Sequence, residues 1–282
     1  MSKCIITVAI TGLAANRKQC PAIPYTPDEI ADDAYRAWQQ GAAVVHIHAR
    51  EDDGRPTQRV EVYKAIQEKI QAKCDIIINF STGTVGIPKE ERIDHITQLK
   101  PELAALNMGS MNYAIYSEKR KEFIFDHCFE NRFETIGFFL RHMVDAGVKP
   151  ELECFDAGHV SNVYPFIDMG LLKTPIQYSF IMGVLGGIAA TKEALAFQAA
   201  QAKQYGPHTW EVIGISRDQW PMIRAALELG GNIRIGLEDN FYRVSGEMAK
   251  SNGELAEDAA KLVQAAGRSV ATPSDARKLL SL

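Results

Sequence analysis

The sequence predicts an α/β chain folded as one closed (β/α)8 barrel, the TIM-barrel class, over residues 1–282. Three observations predict it. Short apolar, β-branched runs alternate with amphipathic stretches, the order that builds parallel sheets from βα units. The alternation occurs eight times, at about one unit per thirty-five residues, close to the usual spacing of the fold. No Pro/Ser-rich or charge-rich linker interrupts it, so one domain is expected although length alone also allows two.

The eight runs are Cys4 to Ile10, Ala43 to Ala49, Asp75 to Ser81, Leu103 to Asn107, Glu151 to Phe155, Ile176 to Met182, Trp210 to Ile215 and Asn232 to Leu237. Helical patterns lie between them. The first has Thr26 placed to cap, Pro27 at the first helical position and Gly41 to terminate. The segment Asn112 to Arg132 is the one long insertion. An open doubly wound sheet is the alternative, but Thr11-Gly12-Leu13-Ala14-Ala15-Asn16 after the first strand is no Gly-x-Gly-x-x-Gly turn.

Composition narrows the function classes. With 31 Lys+Arg against 35 Asp+Glu the formal charge is −4, which leaves no basic excess for a phosphate backbone, so nucleic acid is not expected as a partner. The longest apolar stretch, Phe180 to Ala190, is about half a membrane span and carries Gly183, Gly186 and Gly187. No signal pattern follows Met1, so a soluble cytoplasmic chain without membrane contact is expected. Cys4, Cys20, Cys74, Cys128 and Cys154 are scattered without a CxxC pair and read as reduced residues.

In a barrel the chemistry sits at the C-terminal ends of the strands. The second strand ends Val44-Val45-His46-Ile47-His48-Ala49-Arg50, and the two-residue side-chain period puts His46 and His48 on one face. Two imidazoles there can reach one metal ion, whereas the plainer reading is one buried and one exposed histidine. On the eighth strand the same period places Arg234, Gly236 and Glu238 together and Ile233, Ile235 and Leu237 opposite. Glu238 would supply a third ligand, and the alternative is an Arg234–Glu238 ion pair inside the barrel. Two neutral imidazoles and a carboxylate with a fourth position open form a catalytic zinc set, with manganese or iron as other choices.

Asn79, Ser81, Asn107 and Glu153 stand at other strand ends, with Thr82 and Gly83 in the turn after the third strand; each alone also reads as a cap or turn residue, Ser81 and Thr82 above all. His95, His127, His142, His159 and His208 show no ligand spacing and read mostly as surface or helix-terminal residues.

Taken together, His46-Ile-His48 with Arg50-Glu-Asp-Asp-Gly-Arg55, the Ser81-Thr-Gly83 turn, Lys100-Pro-Glu102, Leu106-Asn107 and Arg234 through Asn240 resemble the β-keto acid cleavage enzymes. The similarity runs from Thr7 to the Ala271-Thr-Pro-Ser-Asp-Ala-Arg277 tail. It implies a zinc-dependent TIM barrel in which a β-keto acid reacts with acetyl-CoA to give acetoacetate and a new acyl-CoA, in a homo-oligomer. By resemblance His46, His48 and Glu238 match the metal ligands, Asp239 the general base and Arg234 its partner. Ser81 matches a residue near substrate or thioester, and Glu153 an acidic residue of the inner wall. Thr82, Gly83 and Asn107 join Ser81 as expected substrate contacts.

Two positions depart from that pattern. Ala14 replaces an acidic residue that receives a substrate amino group, and Ala105 replaces a threonine. Both remove polarity, so a neutral, more apolar β-keto acid is expected. Arg50, Arg55 and Arg217 are the candidates to meet the CoA nucleotide, with plain solvation as the equal alternative. The alternative function is an amidohydrolase-like zinc hydrolase, which would need a lysine and further histidines from later strands.

Overall fold

The structure is a computed structural model that describes residues 1–282. Eight strands close into a parallel barrel: Ile6–Ala9, Val44–Ile47, Ile77–Ser81, Leu103–Asn107, Lys149–Cys154, Ile176–Met182, His208–Gly214 and Asn232–Ile235, here the first to eighth barrel strands. Each pairs with its neighbour in sequence and the eighth returns to the first. All eight predicted runs therefore become barrel strands, and no edge is left unpaired.

One run is divided. Within the expected first strand, Lys3–Cys4 pairs with Ser269–Val270 outside the barrel and only Ile6–Ala9 joins it. The first helix, Pro27–Gln39, begins as predicted: the Thr26 hydroxyl accepts from Glu29 N–H, and the Glu29 carboxylate accepts from Thr26 N–H. No helix is long and apolar enough to cross a membrane.

Strand periodicity sorts the side chains into two layers. Val8, Val45, Phe80, Leu152, Val212 and Ile233 face outward and pack under the helices as the main core. Burial of each such side chain contributes roughly 1.5–3 kcal/mol. The inward face is apolar at the N-terminal end, where Ile5, Val44, Ile77 and Leu103 meet Ala276 and Leu280 of the last helix, Pro273–Leu280. That helix plugs the barrel bottom, and Lys149 Nζ ties its end by donating to Leu280 C=O. The barrel can therefore open only at its C-terminal end.

The insertion forms an antiparallel hairpin, Met111–Ser117 with Glu122–Phe129. Met111 packs with Phe155, Ile181, Val184 and Ile213 as a second apolar cluster at the barrel mouth. Tyr113 packs edge-on against Phe125, Phe129 and Phe155, which holds the hairpin over the mouth.

Candidate active site

The second barrel strand aims His46 and His48 inward, with ring centroids 5.3 Å apart. The Thr11 hydroxyl fixes the end of this strand by donating to His48 C=O at 2.6 Å and accepting from His48 N–H at 3.2 Å. Burial, with Arg234 nearby, pushes the His46 imidazole well below its usual range. Burial, Arg234 and Arg50 lower His48 to about 3. Both rings are thus neutral at physiological pH, the state in which imidazole binds a metal.

The eighth strand departs from simple alternation. It ends at Ile235, and Gly236 adopts a φ of +141°, in the region that favours glycine. Asp239 N–H and Asn240 N–H then both donate to Gly236 C=O at 3.0 Å, while Glu238 N–H donates to Ala9 C=O at 3.1 Å. This turn brings Glu238 and Asp239, adjacent in sequence, to the same guanidinium. Strand alternation alone would have sent Asp239 to the opposite face. Arg234 donates from Nε to Asp239 Oδ2 at 2.9 Å and from Nη2 to Asp239 Oδ1 at 3.1 Å and Glu238 Oε1 at 2.7 Å.

A Cβ on Gly236 would lie 2.0 Å from Ala9 C=O. Gly236→Ala is accordingly expected to cost at least about 1–3 kcal/mol in backbone strain and to lower both melting temperature and activity. An unchanged melting curve with full turnover would show that the turn does not depend on glycine.

Glu238 completes a three-residue cluster. Its carboxylate oxygens lie 3.7 Å from His46 Nε2 and 3.7 Å from His48 Nε2, and the three ligand atoms lie within 4.8 Å of one another. Both ring nitrogens of His46, His48 Nδ1 and Glu238 Oε2 are buried without a hydrogen-bond partner. Each such group costs about 1–3 kcal/mol if left unpaired. Two neutral nitrogens and one carboxylate oxygen converging in this way fit a divalent ion with an open position.

Beside the cluster, burial raises Asp239 to about 6 against the opposing pull of Arg234, which places it where a carboxylate can gain and lose a proton near neutrality. Burial works against the charge of Arg234, but Asp239, Glu238 and Glu153 outweigh it and keep the guanidinium charged. Glu153 Oε1 lies 3.6 Å from Arg234 Nη1, and burial pushes its carboxyl up to about 8.

The third and fourth strands bring further predicted residues to the same mouth. A Cβ on Gly83 would stand 3.3 Å from Ser81 Oγ, 3.4 Å from Asn107 Nδ2 and 3.9 Å from His48, so these groups surround one small space. Asn107 Oδ1 is buried and unpaired. Thr82 takes the turn reading and not the expected substrate contact, because its hydroxyl donates to Ala105 C=O at 2.6 Å and is spent on the backbone. Ala105 is buried and pairs in register with Ser81, and Ala14 is exposed in the first βα loop.

Other expectations need correction. Arg50 is buried and donates to the carbonyls of Gly12, Thr11, Ala15 and Gly54, so it pins the first loop and has no arm free for a nucleotide. Arg55 is exposed and paired with Asp53, and Arg217 is exposed. His95 and His159 are buried, not superficial. His95 stacks on Tyr63 with ring centroids 3.9 Å apart, and its Nε2 lies 3.0 Å from Ser81 C=O, where it supports the third strand end.

Two groups of inward residues escaped the sequence reading. Tyr113 is raised by burial and by Glu238, Asp239 and Glu153, which marks the hairpin as part of the site wall. Glu151 and Glu211 lie deeper in the barrel, and the signal for them was a charged residue in the middle of an apolar strand. No lysine or histidine comes from the fourth to seventh strand ends, where Asn107, Glu153, Ile181 and Ile213 stand, so the set required for an amidohydrolase-like site is not assembled.

The sequence model of the beta-keto acid cleavage enzyme family matches residues 3–282. A 3-keto-5-aminohexanoate cleavage enzyme of Fusobacterium nucleatum is 39% identical over 284 residues, covering 100% of this chain and 99% of that protein. A 3,5-dioxohexanoate:acetyl-CoA acetone transferase of Paraburkholderia graminis is 36% identical, covering 99% of this chain and 96% of its own. Among solved structures, the binary complex of ObcA with oxaloacetate has the same fold at a TM-score of 0.78 and 19% identity, over 93% of this chain and 68% of that one. A match from the third residue to the last, together with relatives of nearly equal length, leaves one assignment: the chain belongs to the β-keto acid cleavage enzyme family.

Proposed function

We propose that this protein is a zinc-dependent enzyme that joins a β-keto acid to acetyl-CoA and cleaves the product to acetoacetate and a new acyl-CoA. The observation that carries it is the convergence of His46, His48 and Glu238, with unpaired ligand atoms, beside the Arg234–Asp239 pair at the open end of the barrel. The acetyl-CoA in the name of the Paraburkholderia relative supports the co-substrate.

A zinc ion held by His46, His48 and Glu238 would supply Lewis-acid stabilisation of negative charge on the keto acid. Asp239 takes the proton from C2, and Arg234 keeps that carboxylate oriented. The C2 carbanion forms a bond to the thioester carbonyl carbon, and CoA thiolate leaves. The thiolate then adds to the original keto carbon, the bond between that carbon and C2 breaks, and C2 takes the proton back from Asp239. Atoms and charge balance without a redox cofactor. Ser81 Oγ, the Asn107 amide and the Gly83 backbone line the space where the substrate carbonyls would sit. Glu153 shapes the inner wall behind Arg234.

Product formation from a β-keto acid with and without acetyl-CoA tests the reading. Acetoacetate and a new acyl-CoA, formed only when acetyl-CoA is present, are expected. Product without acetyl-CoA would instead indicate hydrolysis or decarboxylation.

The substrate class follows from the walls. The sixth and seventh strands present Ile181 and Ile213 inward at the mouth, next to Met111, Val184 and Phe155, and neither Ala14 nor Ala105 offers a polar group. A neutral β-keto acid with an apolar acyl substituent suits this wall. Its kcat/KM is expected to exceed that of 3-keto-5-aminohexanoate by about tenfold or more, because a buried ammonium would lack a partner. Equal or faster turnover of the aminated acid would overturn this assignment while leaving the reaction class in place.

A further inference from the structure

Below the site, the barrel interior holds a polar layer that the proposed reaction does not use. Glu151 of the fifth strand and Glu211 of the seventh face each other across Ser179 of the sixth, and all three are buried. Ser179 Oγ lies 2.7 Å from Glu151 Oε1 and 3.1 Å from Glu211 Oε1. The Thr7 hydroxyl donates to Glu211 Oε2 at 2.6 Å, and the Asn79 amide donates to Glu151 Oε2.

Proton bookkeeping decides the state of this layer. A serine hydroxyl has one proton to give, and an ionised carboxylate only accepts. Ser179 can therefore donate to one of the two carboxyls, and it meets the other favourably only by accepting from it. We propose that Glu151 and Glu211 share one proton, held on Glu211, in the chain Glu211 O–H to Ser179 O–H to Glu151 carboxylate, and that they act as positioning residues for Arg234 and Asp239.

The surroundings assign the proton to Glu211. Each carboxyl has one further donor, Asn79 for Glu151 and Thr7 for Glu211, but Ser179 stands closer to Glu151, at 2.7 Å against 3.1 Å; Glu151 is also faced by Arg234, Glu153 and Glu238, and apart from burial Arg234 acts on it most strongly. Glu211 is faced by Thr7, Ser179, Glu151, Arg234 and Cys4, and Arg234 acts on it less than Glu151 does. Burial and Glu151 raise Glu211 to about 8. The layer lies next to Arg234: Thr7, which donates to Glu211, is the register partner of Arg234, and Ser179 is the register partner of Glu153, whose Oε1 lies 3.6 Å from Arg234 Nη1. A proton kept in the lower layer leaves Arg234 free to hold Asp239 in its ionised form.

The test compares Glu211→Gln and Glu151→Gln with the unaltered protein. A glutamine at 211 keeps a donor toward Ser179 and an acceptor toward Thr7. The infrared band of a protonated carboxyl at neutral pH is expected to weaken in Glu211→Gln and to persist in Asp239→Asn. In the unfolded chain Glu211 ionises near its ordinary value of 4.5, whereas in the fold it keeps its proton up to about 8. The native protein therefore loses stability as pH rises between those values, and the melting-temperature advantage of Glu211→Gln should grow over the same window. Glu211→Gln is expected to keep kcat and KM within about threefold, whereas Glu151→Gln lowers kcat by about tenfold or more with little change in KM. An unchanged infrared band or a melting-temperature difference that does not vary with pH would overturn the shared proton. Equal kcat losses in the two variants would overturn the assignment of that proton to Glu211. The positioning role rests on Asp239 being the base, whereas the infrared and melting readouts do not, so failure of one reading is distinguishable from failure of the other.

Discussion

Asp239→Asn is expected to lower kcat/KM by about 10²–10⁴-fold, the range for loss of a general base, while metal content stays unchanged. The asparagine fills the same space but cannot take the C2 proton. One of the two Arg234 bonds to this side chain, at 2.9 and 3.1 Å, must also weaken, because an amide offers one acceptor where the carboxylate offered two. The proposed metal cluster consists of His46, His48 and Glu238, so nothing in the substitution removes one of its ligand atoms. Metal analysis beside steady-state kinetics separates the two effects. Full turnover in this variant would remove Asp239 from the base role, and loss of metal together with activity would place it in the ligand set instead.

The second large effect belongs to the cluster itself. His46→Ala is expected to abolish stoichiometric zinc binding and activity together. In the unaltered protein, zinc at a thousand times its dissociation constant would add about 4 kcal/mol of stability by mass action, so the melting temperature should rise with zinc and fall with a chelator. His46→Ala should show neither response. This readout does not depend on turnover, and it also addresses Glu238, since Glu238→Gln removes the carboxylate between the two imidazoles. A zinc-dependent melting temperature that survives in both variants would place the ion elsewhere.

Much of the barrel was legible in the chain because its physical signals are local. Eight β-branched runs alternating with helical patterns became eight parallel strands, and the cap at Thr26 formed as written. The His46 and His48 pair was legible for the same reason, since a strand repeats its facing every two residues. Asp239 was reachable only by resemblance. Alternation carries it away from Arg234, and the turn at Gly236 that brings it back depends on Ala9 C=O in another strand.

Arg50 shows the converse. Its position at a strand end looked free for a ligand, yet four backbone carbonyls, three of them from the first loop, take its donors. The hairpin from Met111 to Phe129 read only as an insertion. Its place over the mouth is set by Phe155, just past the fifth strand, and by Ile181 and Ile213 of the sixth and seventh. Ser179, Glu151 and Glu211 likewise meet across three strands.

The sequence by itself determined the fold class, the end of the barrel where the candidate site stands and the identity of the metal-ligand candidates. Those depend on periodicity and residue type, which are properties of short stretches of chain. Tertiary structure alone decided which polar groups are spent and which stay free: Arg50 and Thr82 on backbone carbonyls, Arg234 on Asp239 and Glu238, His46 and His48 without partners. A hydrogen bond is decided by where the second atom lies, and in a closed barrel that atom usually belongs to a strand distant in sequence.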